Sequence, residues 1–139
     1  MAKRVESINA ITLITADMAA SVAFYGVLEC EVAFGGAQAS FTTLRLGNAQ
    51  FLNLLLDASW VRPTQVWGRF ILWVDDVDAA YNAFIAAGYT PTMAPSDASW
   101  GERYFHILDP AELHFPERGL ARFIDMETNH RLVVHTQTM

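Results

Sequence analysis

Arg69 and Trp73 stand in one apolar stretch of the chain, with Ile71 between them. Successive side chains of a β-strand point to opposite faces, so a strand here would place all three on one face. A guanidinium can hold a carboxylate through two parallel hydrogen bonds, and an indole offers a flat apolar surface. These residue types would bind a flat ligand with an anionic or carbonyl group. Two structural alternatives remain open: an ion pair of Arg69 with Glu112 or Asp57, and a core position for Trp73.

Patterns typical of nucleophilic or phosphate chemistry are missing from the sequence. Cys30 is the single cysteine, and Glu29 and Glu31 flank it. Carboxylates raise the pKa of a neighbouring thiol, which disfavours a nucleophile, so we interpret Cys30 as a packed structural residue. Gly35-Gly36 lacks the further glycine and the lysine of a phosphate-binding loop. No segment has the pattern of a nucleophile elbow.

Composition excludes two classes of partner. The 139 residues carry a formal net charge of −6, whereas nucleic-acid binding needs clustered Lys and Arg. No apolar run approaches the ~20 residues of a membrane helix, and Glu6, Asn9 and Asp17 interrupt any signal-peptide core. We therefore expect a cytoplasmic protein with no nucleic-acid or membrane partner. Hydrophobic residues make up 53 % of the chain, which suggests that apolar surface is hidden against a second subunit or a ligand.

Two segments of the chain share the same order of local signals. Residues 11–20 read as an apolar strand, an aspartate and the start of a helix, and residues 70–79 repeat this order. The offset is 59 positions, since 72 − 13 and 76 − 17 both equal 59. The identical pairs are Leu13/Leu72, Asp17/Asp76 and Ala20/Ala79. A long period that occurs only twice indicates two fused modules rather than a solenoid.

The first module, residues 7–57, is predicted to have the order βαβββ. Its Ile- and Thr-rich residues 8–16 favour a strand, and Asp17 is a good N-cap for a helix that ends near Leu28. Three more strands are predicted at residues 31–34, 40–46 and 50–56, with turns at Gly35-Gly36 and Gly47-Asn48.

A linker over residues 58–68 and a second module of the same order, residues 69–117, complete one domain of residues 1–139. Asp76 is predicted to cap a helix that ends near Ala87, with Gly88 as its C-terminal cap. The strands of this module are predicted at residues 69–74, 89–93, 102–108 and 112–115, with a loop at residues 95–101. Residues 118–139 form a C-terminal extension, with a short helix at 119–127 and either a terminal strand or a disordered tail at 130–139.

This duplicated βαβββ unit resembles the vicinal-oxygen-chelate superfamily, the group of glyoxalases, bleomycin-resistance proteins and extradiol dioxygenases. Phe24-Tyr25 and Val27-Leu28 stand at the place of the family's FY…LG segment. Residues 73–80, residues 100–105 and Asp109-Pro110 carry the resemblance in the second module. The resemblance covers about residues 7–117. It implies an α+β fold in which two tandem βαβββ modules form a half-barrel cleft, and it implies a homodimer.

The resemblance also implies four metal-ligand positions, typically His, Glu or Gln, on the first and last strands of the modules. They correspond here to Ala10, Asn53, Arg69 and His114. Alanine offers no lone pair and a guanidinium is a permanent cation, so this set disfavours a metal. We therefore expect no metal ligands and no cofactor, with a divalent metal as the alternative.

The cleft that the resemblance implies is predicted to bind the ligand. The predicted ligand-binding residues are Arg69, Asn53, Trp73, His114, Trp67 and Trp100. Trp60, Trp67 and Trp100 lie in predicted loops, where an exposed indole normally marks an interface. Asn53 could instead satisfy buried backbone groups, and His106 could be a satisfied core histidine.

Three functions are compatible with these residues. The preferred one is a small-molecule binding protein, similar to the metal-free drug-binding members of the family, for a partly aromatic or anionic ligand. The second is a lyase, isomerase or dioxygenase, in which His114 is the one candidate catalytic residue. Its metal version would draw on His114, Glu112, His106 and Glu117. The third is a structural or regulatory dimer that binds no ligand.

Overall fold

The computed structural model describes residues 4–61, 69–110 and 131–137, and it contains two modules of the same order. The first consists of β1 (Ala10–Thr15), α1 (Met18–Gly26), β2 (Glu31–Phe34), β3 (Phe41–Leu46) and β4 (Gln50–Leu56). The second consists of β5 (Arg69–Trp73), α2 (Val77–Ala86), β6 (Ser96–Asp97), β7 (Glu102–Leu108) and β8 (Arg131–Gln137). The predicted fold class, α+β with two tandem βαβββ modules, is confirmed.

Each module forms a four-stranded sheet with the same topology. The strand orders are β1-β4-β3-β2 and β5-β8-β7-β6. In each sheet the first strand is parallel to the fourth, and the other neighbours are antiparallel. Thr12 pairs with Asn53 in the first sheet, and Ile71 pairs with Val133 in the second. The first strands begin at Ala10 and Arg69 and the helices at Met18 and Val77, so the 59-residue offset of the sequence is also the offset between the first two elements of the modules.

Both helices begin at the predicted aspartates. Asp17 accepts a hydrogen bond on Oδ1 from the backbone N–H of Ala20 at 3.0 Å. Asp76 accepts the equivalent bond from Ala79 at 3.0 Å. Each bond satisfies a backbone donor that the first helical turn leaves without an intrahelical partner.

Each helix is followed by a residue with positive φ, but the residue types differ. Gly88 follows α2 with φ +94°, as its predicted capping role requires. The position 59 residues earlier holds Glu29, which has φ +61°. This left-handed conformation costs a residue with a Cβ atom about 1 kcal/mol. The first module therefore keeps the backbone turn without the glycine that favours it.

A shared hydrophobic core joins the two modules. The ring of Phe24 on α1 lies 4.9 Å from that of Phe84 on α2, and 5.1 Å from that of Tyr89. Both sheets contribute their helix-facing side chains to this core: Leu13, Leu44, Leu52, Leu54, Phe105 and Ile107. The opposite face of each sheet, called here its open face, is left outside the core.

A buried hydrogen bond also connects the modules. The Tyr25 hydroxyl on α1 donates to Asp109 Oδ2, just after β7, at 2.6 Å. Both residues are almost completely buried. Tyr25 and Asp109 belong to the two motifs that carry the family resemblance, so these motifs meet at the module interface.

The predicted strand at residues 89–93 is wrong. The edge strand of the second sheet is β6, which lies inside the predicted loop at residues 95–101. Pro91 and Pro95 lack the N–H that a strand ladder requires, which disfavours pairing here. Thr92 is instead fixed at one point, since its N–H and its hydroxyl both donate to the carbonyl of His106, at 2.9 and 3.1 Å.

The fourth strand of the second sheet comes from the end of the chain. β8 lies between β5 and β7, which agrees with the terminal strand considered for residues 130–139. The predicted strand at 112–115, the predicted helix at 119–127 and most of the linker lie outside the described residues. Within the described part, no helix is long and apolar enough to cross a bilayer.

Candidate functional site

The open face of the first sheet carries a row of polar side chains. Thr43 donates from its hydroxyl to Asn53 Oδ1 at 2.8 Å, and Asn53 Nδ2 donates to Thr12 Oγ1 at 3.3 Å. The three residues are neighbours in register on β3, β4 and β1. The amide therefore bonds to two side-chain hydroxyls, rather than to the buried backbone groups considered from the sequence. These bonds use one of its two N–H donors and one of the two lone pairs on its oxygen.

Apolar residues border this polar row. On one side, Ile14, Leu55 and Phe41 are register partners, and Ile14 and Leu55 are exposed. On the other side, the Arg45 guanidinium lies 5.6 Å from the centre of the Phe51 ring. The first open face thus combines exposed aliphatic surface with one amide held in a fixed orientation.

The open face of the second sheet is aromatic. Phe105 and Ile107 on β7 are buried in the core, so alternation places Tyr104 and His106 on the open face. The ring of Tyr104 is stacked on that of Trp100, with centroids 6.3 Å apart, and lies 5.5 Å from that of His106. We call Trp100, Tyr104 and His106 the β7 aromatic cluster. His106 is half-buried and lies outside the shared core, unlike the core histidine considered from the sequence.

Trp73 lies on the same open face as the β7 aromatic cluster. It is 61 % exposed and Ile71 is 50 % exposed, so the core position considered for Trp73 is wrong. His135 on β8 is the register partner of both Trp73 and Tyr104. Trp73 and Tyr104 therefore occupy one row of the sheet, two strands or about 10 Å apart.

The predicted ligand-binding residues divide between the two open faces. Trp73 lies on β5 of the second sheet and Trp100 is stacked on Tyr104 of β7, whereas Asn53 belongs to the first sheet. Arg69 opens β5 and pairs in register with Arg131. Trp67 and His114 lie outside the described residues. Sequence reasoning missed Tyr104 as a site residue, although the alternation around buried Phe105 and Ile107 could have identified it.

Two of the four positions that the resemblance assigns to metal ligands, Ala10 and Arg69, hold side chains that cannot ligate a cation. Ala10 has no donor atom, and the guanidinium of Arg69 is a cation without a lone pair. The fourth position is assigned to His114, which lies outside the described residues; in the second sheet the register partner of Ile71 is Val133. In the described ranges, no three His, Cys, Asp or Glu side chains are grouped as a metal site would require.

Cys30 has the chemistry of a structural residue. Burial raises the pKa of its thiol to about 11, so the thiolate that would act as nucleophile is disfavoured near neutral pH. The direction agrees with the sequence prediction, but the main cause is desolvation rather than the neighbouring carboxylates.

Arg103 connects β7 to two other elements on the helix side of the second sheet. Its guanidinium contacts both carboxylate oxygens of Asp78 on α2, through Nε at 2.8 Å and Nη2 at 2.9 Å. Nη1 donates to Asp97 on β6 at 3.1 Å. These bonds lower the pKa of Asp78 and raise that of Arg103. The group is exposed to solvent, so its contribution to stability is small.

The pH dependence of this ion pair can be predicted. Because the folded state lowers the pKa of Asp78 below its ordinary value of 3.8, the stabilisation is complete above that pH and is lost as the pH falls through the lowered pKa. Arg103→Gln should therefore lower the melting temperature slightly near neutral pH and have no effect in strong acid. Circular dichroism melts across this range measure the difference. Arg45→Gln is the control, because the guanidinium of Arg45 contacts the Phe51 ring. If the decrease in melting temperature caused by Arg103→Gln stayed the same at every pH, the assignment of the ion pair to Arg103 and Asp78 would be wrong.

Comparisons with known proteins agree with this architecture. The model of the Glyoxalase/Bleomycin resistance protein/Dioxygenase superfamily matches residues 7–115. The match ends before β8, so the fourth strand of the second sheet comes from a segment beyond it. No curated protein matches the chain.

Three similar solved structures illustrate the shared fold. A lactoylglutathione lyase from Agrobacterium tumefaciens is 20 % identical, with 96 % of this chain and 95 % of that chain covered and a TM-score of 0.66. A bleomycin resistance determinant encoded on the transposon Tn5 is 18 % identical, with 96 % and 100 % covered and a TM-score of 0.66. A glyoxalase/bleomycin resistance protein/dioxygenase from Nocardioides is 16 % identical, with 99 % and 87 % covered and a TM-score of 0.67. At these identities the likeness concerns the fold alone.

Proposed function

The chain belongs to the Glyoxalase/Bleomycin resistance protein/Dioxygenase superfamily, and we propose that within it the protein is a metal-free small-molecule binding protein. Its ligand is partly aromatic or anionic and lies on the open faces of the sheets. The proposal assigns ligand contacts to Trp73, Trp100 and Asn53, and an anion contact to Arg69. Trp67 and His114 remain further candidates from the sequence.

The observation that carries this proposal is the exposed aromatic surface of the second sheet. Trp73 and Trp100 are 61 % and 67 % exposed, and leaving such large side chains in water is unfavourable. Trp100 is already stacked on Tyr104, so these two side chains form a flat aromatic surface on which a planar ring of the ligand can lie. Trp73 bounds the same surface two strands away.

The donor chemistry supports binding without a metal. Ala10 and Arg69 cannot ligate a cation, and Asn53 is a weak neutral ligand that bonds to two threonines. We therefore propose that side chains of this protein, rather than a metal ion, contact the polar group of the ligand. A hydroxyl or carbonyl could bond to Asn53 through the donor and the lone pair that the threonines do not use.

The same surfaces support a homodimer. The helix-facing sides of both sheets meet in one core, whereas the open faces expose Ile14, Leu55 and Ile71. A second copy that covered part of these faces would remove the apolar surface from water and enclose the ligand. The single cysteine is consistent with a cytoplasmic location, which stays part of the proposal.

Tryptophan fluorescence tests the proposal directly. Titration with 1-naphthol should give saturable quenching, because a fused aromatic ring fits the platform of Trp100 and Tyr104. Trp73→Ala and Trp100→Ala should each raise the dissociation constant about tenfold. Ile85→Ala is the matched control, since Ile85 is an exposed apolar residue on α2 and should leave binding unchanged. Absence of saturable quenching by 1-naphthol and by a panel of aromatic acids would refute the proposed function.

A further inference from the structure

A side-chain amide is held between two hydroxyl groups on the open face of the first sheet. Asn53 on β4 accepts a hydrogen bond from Thr43 on β3 at 2.8 Å and donates one to Thr12 on β1 at 3.3 Å. The three residues are register partners, so the amide has one hydroxyl on each side across the strands. Bonds on both sides fix the plane of the amide across the strands, whereas an amide without them would rotate in solvent.

The edge of this amide that points away from the sheet keeps one donor beside one acceptor. Within the described part of the chain, the Asn53 side chain makes these two hydrogen bonds, which use one of its two N–H donors and one of the two lone pairs on its oxygen. A threonine hydroxyl is one bond nearer to its backbone than the amide oxygen and nitrogen of an asparagine. The bonds to Thr12 and Thr43 therefore leave the amide sideways and towards the sheet, and the remaining N–H and lone pair point outwards. We call this N–H and this lone pair the outward edge of Asn53.

The outward edge does not depend on which side of the amide holds the oxygen. A hydroxyl can both donate and accept, so exchanging the positions of Oδ1 and Nδ2 would leave the same pair of groups. Asn53 is half-buried and Thr12 is exposed, so a ligand can reach the edge from solvent.

Apolar side chains lie on both sides of Asn53 along the strands. One neighbouring row contains Ile14 and Leu55, both of which are exposed. The other contains Phe51 and Arg45, whose guanidinium lies 5.6 Å from the centre of the ring. Two residues along a strand span about 7 Å, which is the distance from Asn53 to each row. A planar ring in the plane of the Asn53 amide would therefore turn its two faces towards these rows, and their side chains would shield its hydrogen bonds from water.

We propose that the outward edge of Asn53 binds a cis-amide group, the lactam of a planar ring in the ligand. This inference rests on the proposed function, because it specifies the polar group of the same ligand. A lactam has its N–H beside its carbonyl oxygen, so it can form two parallel hydrogen bonds with Asn53, in which each donor meets an acceptor. A carboxylate has acceptors only, so one of its oxygens would face the lone pair of Asn53. The outward edge therefore favours a neutral lactam over a carboxylate.

A pair of matched ligands tests this assignment by isothermal titration calorimetry. 2-Quinolinone is a planar bicyclic lactam, and N-methyl-2-quinolinone has the same ring with a methyl group in place of the donor hydrogen. The methylated ligand should bind about tenfold more weakly. Asn53→Leu should remove this difference, because leucine has a similar size but neither a donor nor an acceptor. Gln50→Leu is the matched control and should keep the difference, since Gln50 is an exposed amide on β4 that strand alternation places on the opposite face.

Asn53→Asp tests the same edge through an exchange of ligand preference, and it is the second variant if Asn53→Leu does not fold. A carboxylate can accept from both threonine hydroxyls, so the polar row stays paired, but its outward edge has acceptors only. This variant should bind 2-quinolinone about tenfold more weakly than the unaltered protein does. It should bind protonated 2-aminoquinoline, which has two adjacent N–H donors, about tenfold more tightly.

The outcomes separate this inference from the proposed function. If the unaltered protein binds 2-quinolinone no more tightly than N-methyl-2-quinolinone, or if Asn53→Leu keeps the difference, the assignment of the lactam to Asn53 is wrong. Saturable binding of 1-naphthol that depends on Trp100 would support the proposed function even then. If the lactam preference is present and is lost in Asn53→Leu while 1-naphthol fails to bind, the outward edge of Asn53 stands and the aromatic part of the proposed function fails.

Discussion

Replacing Phe24 by Ala is expected to lower the free energy of unfolding by about 3–5 kcal/mol. The side chain is 0 % exposed, and its ring contacts Phe84 and Tyr89 of the second module as well as Tyr25 of its own helix. Truncation would leave a cavity at the junction of the two modules, where both would have to shift to fill it. Since domains of this size are stable by about 5–15 kcal/mol, the loss is a large fraction of the total.

Urea unfolding followed by circular dichroism measures this loss. Phe34→Ala is the matched control, because Phe34 is 66 % exposed on the edge strand β2 and its truncation should change the free energy of unfolding by about 0.5 kcal/mol or less. Phe24→Leu, which keeps most of the volume, should lie between the two. Equal effects of the alanine substitutions at Phe24 and Phe34 would show that the modules are not held together by this core.

The position of the core also determines where the candidate site lies. Both sheets use their helix-facing sides to join the modules, so their remaining apolar side chains are confined to the open faces. Trp73 and Ile71 alternate with Phe70 and Leu72, which pack against the core. The exposed aromatic surface is therefore a consequence of the way in which the two modules are joined.

Local patterns made much of this fold predictable from the sequence. Asp17 and Asp76 cap their helices because a side-chain oxygen at this position accepts a hydrogen bond from the first turn, which is a contact between residues three positions apart. The face that Ile71 and Trp73 share followed from strand alternation alone. The 59-residue repeat then extended each local prediction from one module to the other.

Contacts between distant residues were harder to predict. Residues 112–115 and 130–139 both contain β-branched, aromatic or aliphatic residues, and strand propensity does not determine which segment pairs with β5. The hydrogen bonds of Asn53 to Thr12 and Thr43 depend on the register of three strands.

Tyr25→Phe is the second substitution with a large expected effect, about 1–3 kcal/mol in the free energy of unfolding. It keeps the ring in the core but removes the hydroxyl that donates to Asp109 Oδ2. Asp109 is only 2 % exposed, so water cannot easily replace the donor that this oxygen loses.

A double-mutant cycle with Asp109→Asn separates this hydrogen bond from other effects of the two substitutions. Unfolding free energies of both single variants and the double variant should give a coupling energy of about 0.5–3 kcal/mol, as expected for residues in contact. Additive effects would mean that the 2.6 Å contact contributes nothing to stability.

The hydrogen bond of Tyr25 also joins α1 of the first module to the end of β7, whose open face carries Tyr104 and His106. If the aromatic surface depends on how the modules are joined, Tyr25→Phe should also weaken 1-naphthol binding. Unchanged binding in a destabilised Tyr25→Phe would instead show that the second sheet keeps its ligand surface independently of the first module.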